Sequence, residues 1–258
     1  MRIATWNVNS VRQRLDHLLG YLGAVAPDVL CLQELKCTDD SFPRQEIEAA
    51  GYHCNVHGQK GFNGVAILSR RPVEATAGLP GEPEDTQARF IEARVPDGGG
   101  EILVASIYLP NGNPVGTDKY PYKLRFMDRL AAHARQRLAE GATLVLAGDY
   151  NVIPDRRDAA DPEAWVHDAL FLPETRERYR TLVSLGLTDA LRATTDHAGV
   201  YSFWDYQAGA WQRNKGIRID HLLLSSRAAD RLVDVTIDKD MRAAEKPSDH
   251  VPVRIDLR

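Results

Sequence analysis

Short runs of apolar residues, each closed by oxygen- or imidazole-bearing side chains, recur along the whole chain. In the stretch 142–151, Leu144, Val145, Leu146 and Ala147 follow one another and stop at Gly148-Asp149-Tyr150-Asn151. An apolar run with no polar interruption predicts a strand covered on both faces. The same form is seen in 3–7 ending at Asn7, in 28–34 ending at Gln33 and Glu34, and in 101–108 ending at Tyr108. It returns in 218–224, where Asp220 and His221 sit inside the run, and again where Asp249 and His250 precede the last strand. Between these runs the period lengthens to that of a helix. Val11, Leu15, Leu18, Leu19 and Leu22 form one stripe over 10–26, with Ser10 and Gln13 placed as a capping box. Leu124, Met127, Leu130, Ala134 and Leu138 form another over 119–140, and a third helix is predicted over 173–185, after a loop 152–165 rich in Asp, Arg and Pro. Strands at both ends with helices between them predict an α/β layered fold with mixed sheets.

Composition narrows this picture without changing it. With 258 residues, 43% hydrophobic and no Gly/Ser- or Pro-rich linker, 1–258 reads as one domain with a sizeable core. No apolar run approaches membrane length, and the chain enters a strand within two residues, so a cytoplasmic protein without a signal peptide is expected. Cys31, Cys37 and Cys54 are odd in number and lack metal-ligand spacing, which argues against a zinc site; Cys31 reads as a small core residue. A net charge of −4 does not advertise a nucleic-acid partner. What matters for DNA is the local face, and Arg12, Arg14, Lys60, Arg213, Lys215 and Arg218 gather near the motifs. The last three are interleaved with Phe203, Trp204, Tyr206 and Trp211, a mixture suited to phosphates and stacked or flipped sugars and equally to a solvated surface with a few half-buried aromatics.

Asp149 and Asn151, two residues apart at a strand end, are expected to point the same way into a rim. Any one of these acids or amides alone reads more readily as a turn or cap residue than as a catalyst. Together they predict a pocket rich in Asp, Glu, Asn, Tyr and His, suited to a hard divalent cation and a phosphate ester. His221, beside Asp220, should face the other side of its strand and serve structure. Lys36 either steadies Glu34 or is a surface lysine, and Asp189 with Arg192 reads as a local cap or ion pair. His17, His53, His57, His133, His167 and His197 lack a partner pattern and are assigned to surface or packing.

The motifs Trp6-Asn-Val-Asn9, Leu32-Gln-Glu-Leu-Lys36, Gly58-Gln-Lys-Gly61, Gly64-Val-Ala-Ile-Leu68 and Tyr108-Leu-Pro-Asn111 are followed by Gly148-Asp-Tyr-Asn151. Tyr201-Ser-Phe-Trp-Asp-Tyr206, Asn214-Lys-Gly-Ile-Arg-Ile-Asp220 and Glu245-Lys-Pro-Ser-Asp-His250 complete the set. In this order and over the full chain, they resemble the exonuclease III family of apurinic/apyrimidinic (AP) endonucleases, within the endonuclease/exonuclease/phosphatase superfamily. The resemblance implies a four-layer α/β sandwich, two packed β-sheets flanked by helices, with the site at one rim. It implies a Mg²⁺ cofactor (Mn²⁺ as substitute) on Glu34, with Asn7, Asp249, Asp149 and Asn151 near the metal. It makes Asp149 the base for an attacking water. Asn151, Asn7, Tyr108 and His250 become phosphate ligands, and Asp220 orients His250. Lys60, Arg213, Lys215, Arg218 and Trp211 would contact DNA, while Phe203, Trp204, Ile217 and Ile219 would wall the abasic-sugar pocket.

Two departures from the family pattern bear on these roles. Asn9 stands where vertebrate relatives have aspartate, which weakens any second metal site. Ile217 stands where some relatives have tryptophan, which makes the sugar wall smaller and more aliphatic. The implied activity is DNA repair: incision 5′ to abasic sites and trimming of 3′ ends. The implied partner is double-stranded DNA bearing abasic sites or blocked 3′ ends, with no membrane and no obligate protein partner. The competing readings are a hydrolase of another phosphate ester, such as an RNA nuclease or a small-molecule phosphodiesterase, and a catalytically dead DNA-binding protein.

Overall fold

The computed structural model describes residues 1–98 and 100–258. The chain first lays down β1 (Arg2–Asn7), β2 (Val29–Gln33), β3 (His53–His57) and β4 (Val65–Ser69), with α1 (Leu15–Ala24) and α2 (Arg44–Ala49) between them. A second series follows: β5 (Glu74–Ala77), β6 (Phe90–Asp97), β7 (Gly100–Tyr108), β8 (Leu144–Asp149), β9 (Thr188–Asp189) and β10 (Asp220–Leu224). Helices α3 (Lys119–Ala139), α4 (Pro173–Ser184) and α5 (Ala190–Thr194) are interspersed there, and α6 (Ser226–Ala229) follows β10. The chain then returns to β1 through β11 (Leu232–Ile237) and β12 (Val253–Leu257). The result is two six-stranded sheets, ordered β11-β12-β1-β2-β4-β3 and β5-β6-β7-β8-β10-β9. Each is mixed, with β1 and β2 parallel in the first and β7 and β8 parallel in the second.

Strand alternation assigns the layers. Ile3, Val29, Cys31 and Ile67 of the first sheet pack against Ile91, Val104, Val145, Ala147 and Leu222 of the second. Their neighbours Ala4, Trp6, Leu30 and Leu32 face outward onto Leu18, Tyr21 and Leu22 of α1. Leu103, Ala105, Leu144 and Leu146 face outward onto Phe126, Met127 and Leu130 of α3 and Tyr179 and Leu182 of α4. Because successive side chains point to opposite faces, each central strand is apolar on both. That is why β8 reads as an unbroken hydrophobic run. Among the described residues no helix is long and apolar enough to cross a membrane.

The first helix begins later than its hydrophobic stripe suggests. Asn9 and Ser10 adopt positive φ (44° and 84°), and the amides of Ser10 and Val11 donate to the carbonyls of Glu34 and Leu35. Pinned to the chain that leaves β2, this segment turns helical only at Leu15, and the expected capping box at Ser10 and Gln13 does not form. Helices α3 and α4 match their predicted spans to within a residue.

Arg218 is a correction. Expected on the DNA-facing surface, it is 1% exposed and lies beneath β10. Its Nε donates to Asp158 Oδ1 at 2.6 Å and its Nη1 to Asp189 Oδ2 at 2.9 Å. Arg192 closes the same network on Asp158, so Asp189 and Arg192 join a larger buried cluster rather than a local cap alone. His221 lies on the opposite side of β10 from Asp220, as alternation requires. It receives Arg218 Nη1 on Nδ1 at 3.0 Å and places Nε2 2.9 Å from the Val152 carbonyl. Burial lowers His221 to about 4, and Arg218 adds to that effect, so the ring is neutral. Arg218→Met leaves two buried carboxylates short of their cation, a change that costs about 3–5 kcal/mol. Thermal unfolding should record a melting midpoint lower by on the order of 10 °C; a shift below ~2 °C would refute this account of the cluster.

Candidate active site at the rim of the two sheets

Register gathers the site. Tyr108 on β7 pairs with Asp149 on β8, and Asp149 pairs with Asp220 on β10. Paired residues share a face, so all three side chains point into the interlayer at its open end. From the opposite sheet, Asn7 at the end of β1 is paired with Gln33 of β2. Behind them a polar plug of Thr5, Gln33 and Ser106 hydrogen-bonds across the layers, with Gln33 Nε2 2.9 Å from Ser106 Oγ. Gly148 has no room for a side chain. A Cβ there would lie 2.0 Å from the Ile107 carbonyl oxygen, so β7 and β8 approach closely just before Asp149.

The Asn7 carboxamide joins the sheets. Its Nδ2 donates to Glu34 Oε1 and to Asp149 Oδ2, each at 2.9 Å. Lys36 Nζ lies 2.9 Å from Glu34 Oε2, so it steadies the carboxylate rather than idling at the surface. Burial alone would raise Glu34, but Lys36 and Asn7 outweigh it and hold the carboxyl below its ordinary range. Glu34 itself sits at positive φ (52°), a conformation the surrounding bonds impose on a non-glycine residue. Asp149 Oδ1 accepts from the Asn151 amide at 2.9 Å. Asn9 Nδ2 donates to Asp249 Oδ1 at 3.1 Å.

A second line of contacts runs through the imidazole. His250 Nδ1 donates to Asp220 Oδ2 at 2.8 Å, Ser202 Oγ donates to the same oxygen at 2.6 Å, and His250 Nε2 is 3.7 Å from Asp149 Oδ2. Burial alone would lower His250, but Asp220 and Asp149 reverse that and raise it to about 10. Burial likewise pushes Asp149 up to about 7, with the His250 charge opposing and the Asp220 charge adding. Tyr108 is raised well above its ordinary value by burial and by the charges of Glu34 and Asp149, so it is a phenol and a donor.

Glu34, Tyr108, Asp149, Asn151, Asp249 and His250 line a cavity of about 310 Å³ together with the apolar Trp165, Leu170, Phe203, Ile217 and Ile219. Phe203, Ile217 and Ile219 are therefore brought together as expected. Trp204 is not. It is 1% exposed and packs with Tyr201 and Val251, its Nε1 3.2 Å from Asn214 Oδ1. Phe203 bridges to Ile217 and His250 in an extended segment, so its immediate neighbour must face away. The same alternation buries Arg218 between Ile217 and Ile219. Lys60, Arg213 and Lys215 are exposed, while Trp211 is half-buried, edge-on to Trp204 with centroids 5.1 Å apart.

Several contributors were not singled out from sequence. Trp165 lies in the polar stretch 152–165, whose composition hides it, and Leu170 lies in the short apolar run Ala169-Leu-Phe-Leu172 that follows. Asn111, quoted only within a motif, donates from Nδ2 to Asn151 Oδ1 at 3.0 Å. Lys123 lies inside a helix stripe yet is fully buried behind the site. His133, assigned to packing or surface, pairs with buried Glu92 at 2.8 Å, away from the cavity.

The donor set is hard and anionic, suited to a divalent cation. Asp149, Asp220 and His250 place ligand atoms within 4.8 Å of one another. An imidazolium has no lone pair to give, however, and Asp220 is already committed to it. Glu34 and Asp249 also line the cavity and are not bound to the imidazolium, so their carboxylates fit a metal better.

Two mixed sheets in a layered sandwich, with carboxylates, amides and an imidazolium converging on an oxygen-rich cavity at one rim, define a phosphate-ester hydrolase architecture. The model of the endonuclease/exonuclease/phosphatase family matches residues 4–250, and the chain belongs to that family. It is 36% identical over 262 residues to exodeoxyribonuclease III of Haemophilus influenzae, covering 98% of each. Among solved structures, a 3′ phosphatase from Neisseria bound to a product DNA hairpin superposes with a TM-score of 0.96 at 39% identity, over 100% of this chain and 99% of that one. An AP endonuclease from Archaeoglobus fulgidus gives 0.93 at 36% identity, with the same coverage.

In metal-free protein the His250 imidazole should stay protonated well past neutrality and titrate near 10. Removing the Asp220 charge with Asp220→Asn should bring that transition down. Imidazole ¹⁵N shifts followed from pH 6 to 11 read this directly, and a wild-type transition near 6.5 would refute it.

Proposed function

We propose that the chain is a Mg²⁺-dependent DNA repair phosphodiesterase that incises duplex DNA 5′ to abasic sites and trims 3′ ends. The observation that carries this reading is one cavity with two unlike walls. Asp149, His250, Glu34 and Asp249 line one part of it and Phe203, Ile217, Ile219 and Trp165 another, with the Phe203 ring packed against His250 at 4.9 Å where the two meet. The first wall suits a phosphodiester, and the second suits a sugar that has lost its base and offers only shape and apolar contact. The names of the relatives support both substrates.

Glu34 and Asp249 would hold Mg²⁺, with Asn7 keeping Glu34 in place and Asp149 and Asn151 near at hand; Mn²⁺ would serve as a substitute. When bound, the ion supplies charge stabilisation to the phosphate and its leaving oxygen. Asp149 takes a proton from the attacking water, oriented by Asn7 on one oxygen and the Asn151 amide on the other. The Tyr108 phenol, the Asn151 side chain and the His250 imidazolium donate to phosphate oxygens as charge develops on them. Asp220 keeps Nδ1 of His250 occupied, so that Nε2 presents its proton to the cavity. Lys60, Arg213 and Lys215 contact backbone phosphates outside the cavity, with Trp211 alongside. Recognition through phosphates carries no base sequence, so incision should be indifferent to flanking sequence.

The test is a labelled duplex bearing one tetrahydrofuran abasic analogue, beside the intact duplex and one with a 3′-phosphate, each with Mg²⁺ and with EDTA. Metal-dependent incision immediately 5′ to the analogue with a 3′-hydroxyl product is expected. Cleavage of none of the three would overturn the reading, and 3′ trimming without internal incision would confine it to end processing. Asp149→Asn should lower kcat by about 10²–10⁴-fold while still binding abasic DNA. Retained incision by that variant would remove Asp149 from the role of base. Binding should weaken by several powers of ten between 50 and 200 mM salt if ~6 phosphates are contacted; filter binding at fixed Mg²⁺ measures this, and a flat response would exclude a DNA substrate.

A further inference from the structure

Lys123 is 0% exposed, an unusual place for the most strongly hydrated of side-chain cations. It rises from α3, and its Nζ hydrogen-bonds to main-chain carbonyls rather than to a carboxylate. The Asn111 carbonyl lies at 3.0 Å and the Asn151 carbonyl at 2.5 Å. These two residues sit in the loops that leave β7 and β8, strands in register through Tyr108 and Asp149. Their side chains meet on the cavity side, Asn111 Nδ2 donating to Asn151 Oδ1 at 3.0 Å, while Asn151 Nδ2 holds the Leu109 carbonyl at 3.0 Å. Asn151 is also at positive φ (48°), so its peptide orientation needs an external constraint.

The surroundings are built around the lysine stem. A Cβ on Gly112, which has φ +90°, would stand 2.7 Å from Lys123 Cδ and 3.1 Å from Ala169 Cβ. A methionine would fill the same channel without the cost of desolvating an amino group. What it could not do is donate to two carbonyls at once.

We propose that Lys123 is a positioning residue for the hydrolytic reaction. Its amino head clamps the Asn111 and Asn151 carbonyls together, and so fixes the paired amides that meet the phosphate in one geometry. This rests on the function proposed above. Lys123 touches neither substrate nor metal, and its whole effect passes through Asn151 and Asn111.

Steady-state kinetics of wild type, Lys123→Met, Lys123→Arg, Asn151→Ala and the two Lys123/Asn151 double variants test this, on whichever duplex the wild type cleaves. Circular dichroism monitors folding. Lys123→Met should lower kcat by about 30–100-fold with KM changed less than ~3-fold, and Lys123→Arg should recover most of the loss. In the Asn151→Ala background, either Lys123 change should cost less than about 3-fold more. Full activity in Lys123→Met, a loss confined to KM, or a penalty that multiplies undiminished on Asn151→Ala overturns the proposal. Should Lys123→Met fail to fold, the Lys123→Arg cycle decides: a folded Lys123→Arg with reduced kcat and no added loss on Asn151→Ala supports the clamp, and multiplicative losses overturn it. A wild type that cleaves no duplex overturns the functional reading and this proposal with it, whereas a cleaving wild type matched by Lys123→Met overturns the clamp alone.

Discussion

The Asn7 carboxamide is the contact on which the site depends. From the last residue of β1 it donates at 2.9 Å both to Glu34 on its own sheet and to Asp149 on the other. Two carboxylates facing one cavity repel each other, and a neutral group carrying two donors is a compact way to hold both without cancelling the charge a metal needs. The position is set by packing below it. Ile3 lies in the interlayer core, and Thr5 belongs to the polar plug with Gln33 and Ser106, so the face of β1 that ends in Asn7 is defined two residues at a time.

Charge compensation divides the site into two halves. On one side Lys36 and Asn7 keep Glu34 ionised, which leaves a carboxylate ready for a cation. On the other, Asp220 and Asp149 keep His250 protonated, which leaves a donor ready for a phosphate oxygen. Neither charge would persist without its partners in a buried setting, since a lone buried charge neutralises itself. The Arg218 cluster of Asp158, Asp189 and Arg192 supports the back of β10 and carries the strand that bears Asp220.

Much of this was legible along the chain. Unbroken apolar runs identified the central strands, because each is covered on both faces, and the residues closing those runs proved to be the rim. Alternation correctly turned His221 away from Asp220. Applied one step further it would also have turned Arg218 away from Ile217 and Ile219, and Trp204 away from Phe203. At both places position along the strand, not the basic or aromatic type of the residue, sets the direction of the side chain. The hydrophobic stripe of the first helix was sound, yet its start was not, because backbone bonds to Glu34 and Leu35 hold Ser10 and Val11 outside the helix.

By itself the sequence determined the layers, the central strands and the identity of the acids, amides and imidazole at their ends, because these follow from the two-residue and 3.6-residue periods of local geometry. Only the tertiary structure decided which of them meet. The strand register aligned Tyr108, Asp149 and Asp220. The packing of one sheet on the other brought Asn7 to Asp149, and the loop 152–172 delivered Trp165 and Leu170 to the cavity wall. Burial, which sets whether His250 carries a proton and whether Lys123 is a surface charge or a clamp, is a property of the surroundings of a residue. Those surroundings are assembled from distant parts of the chain.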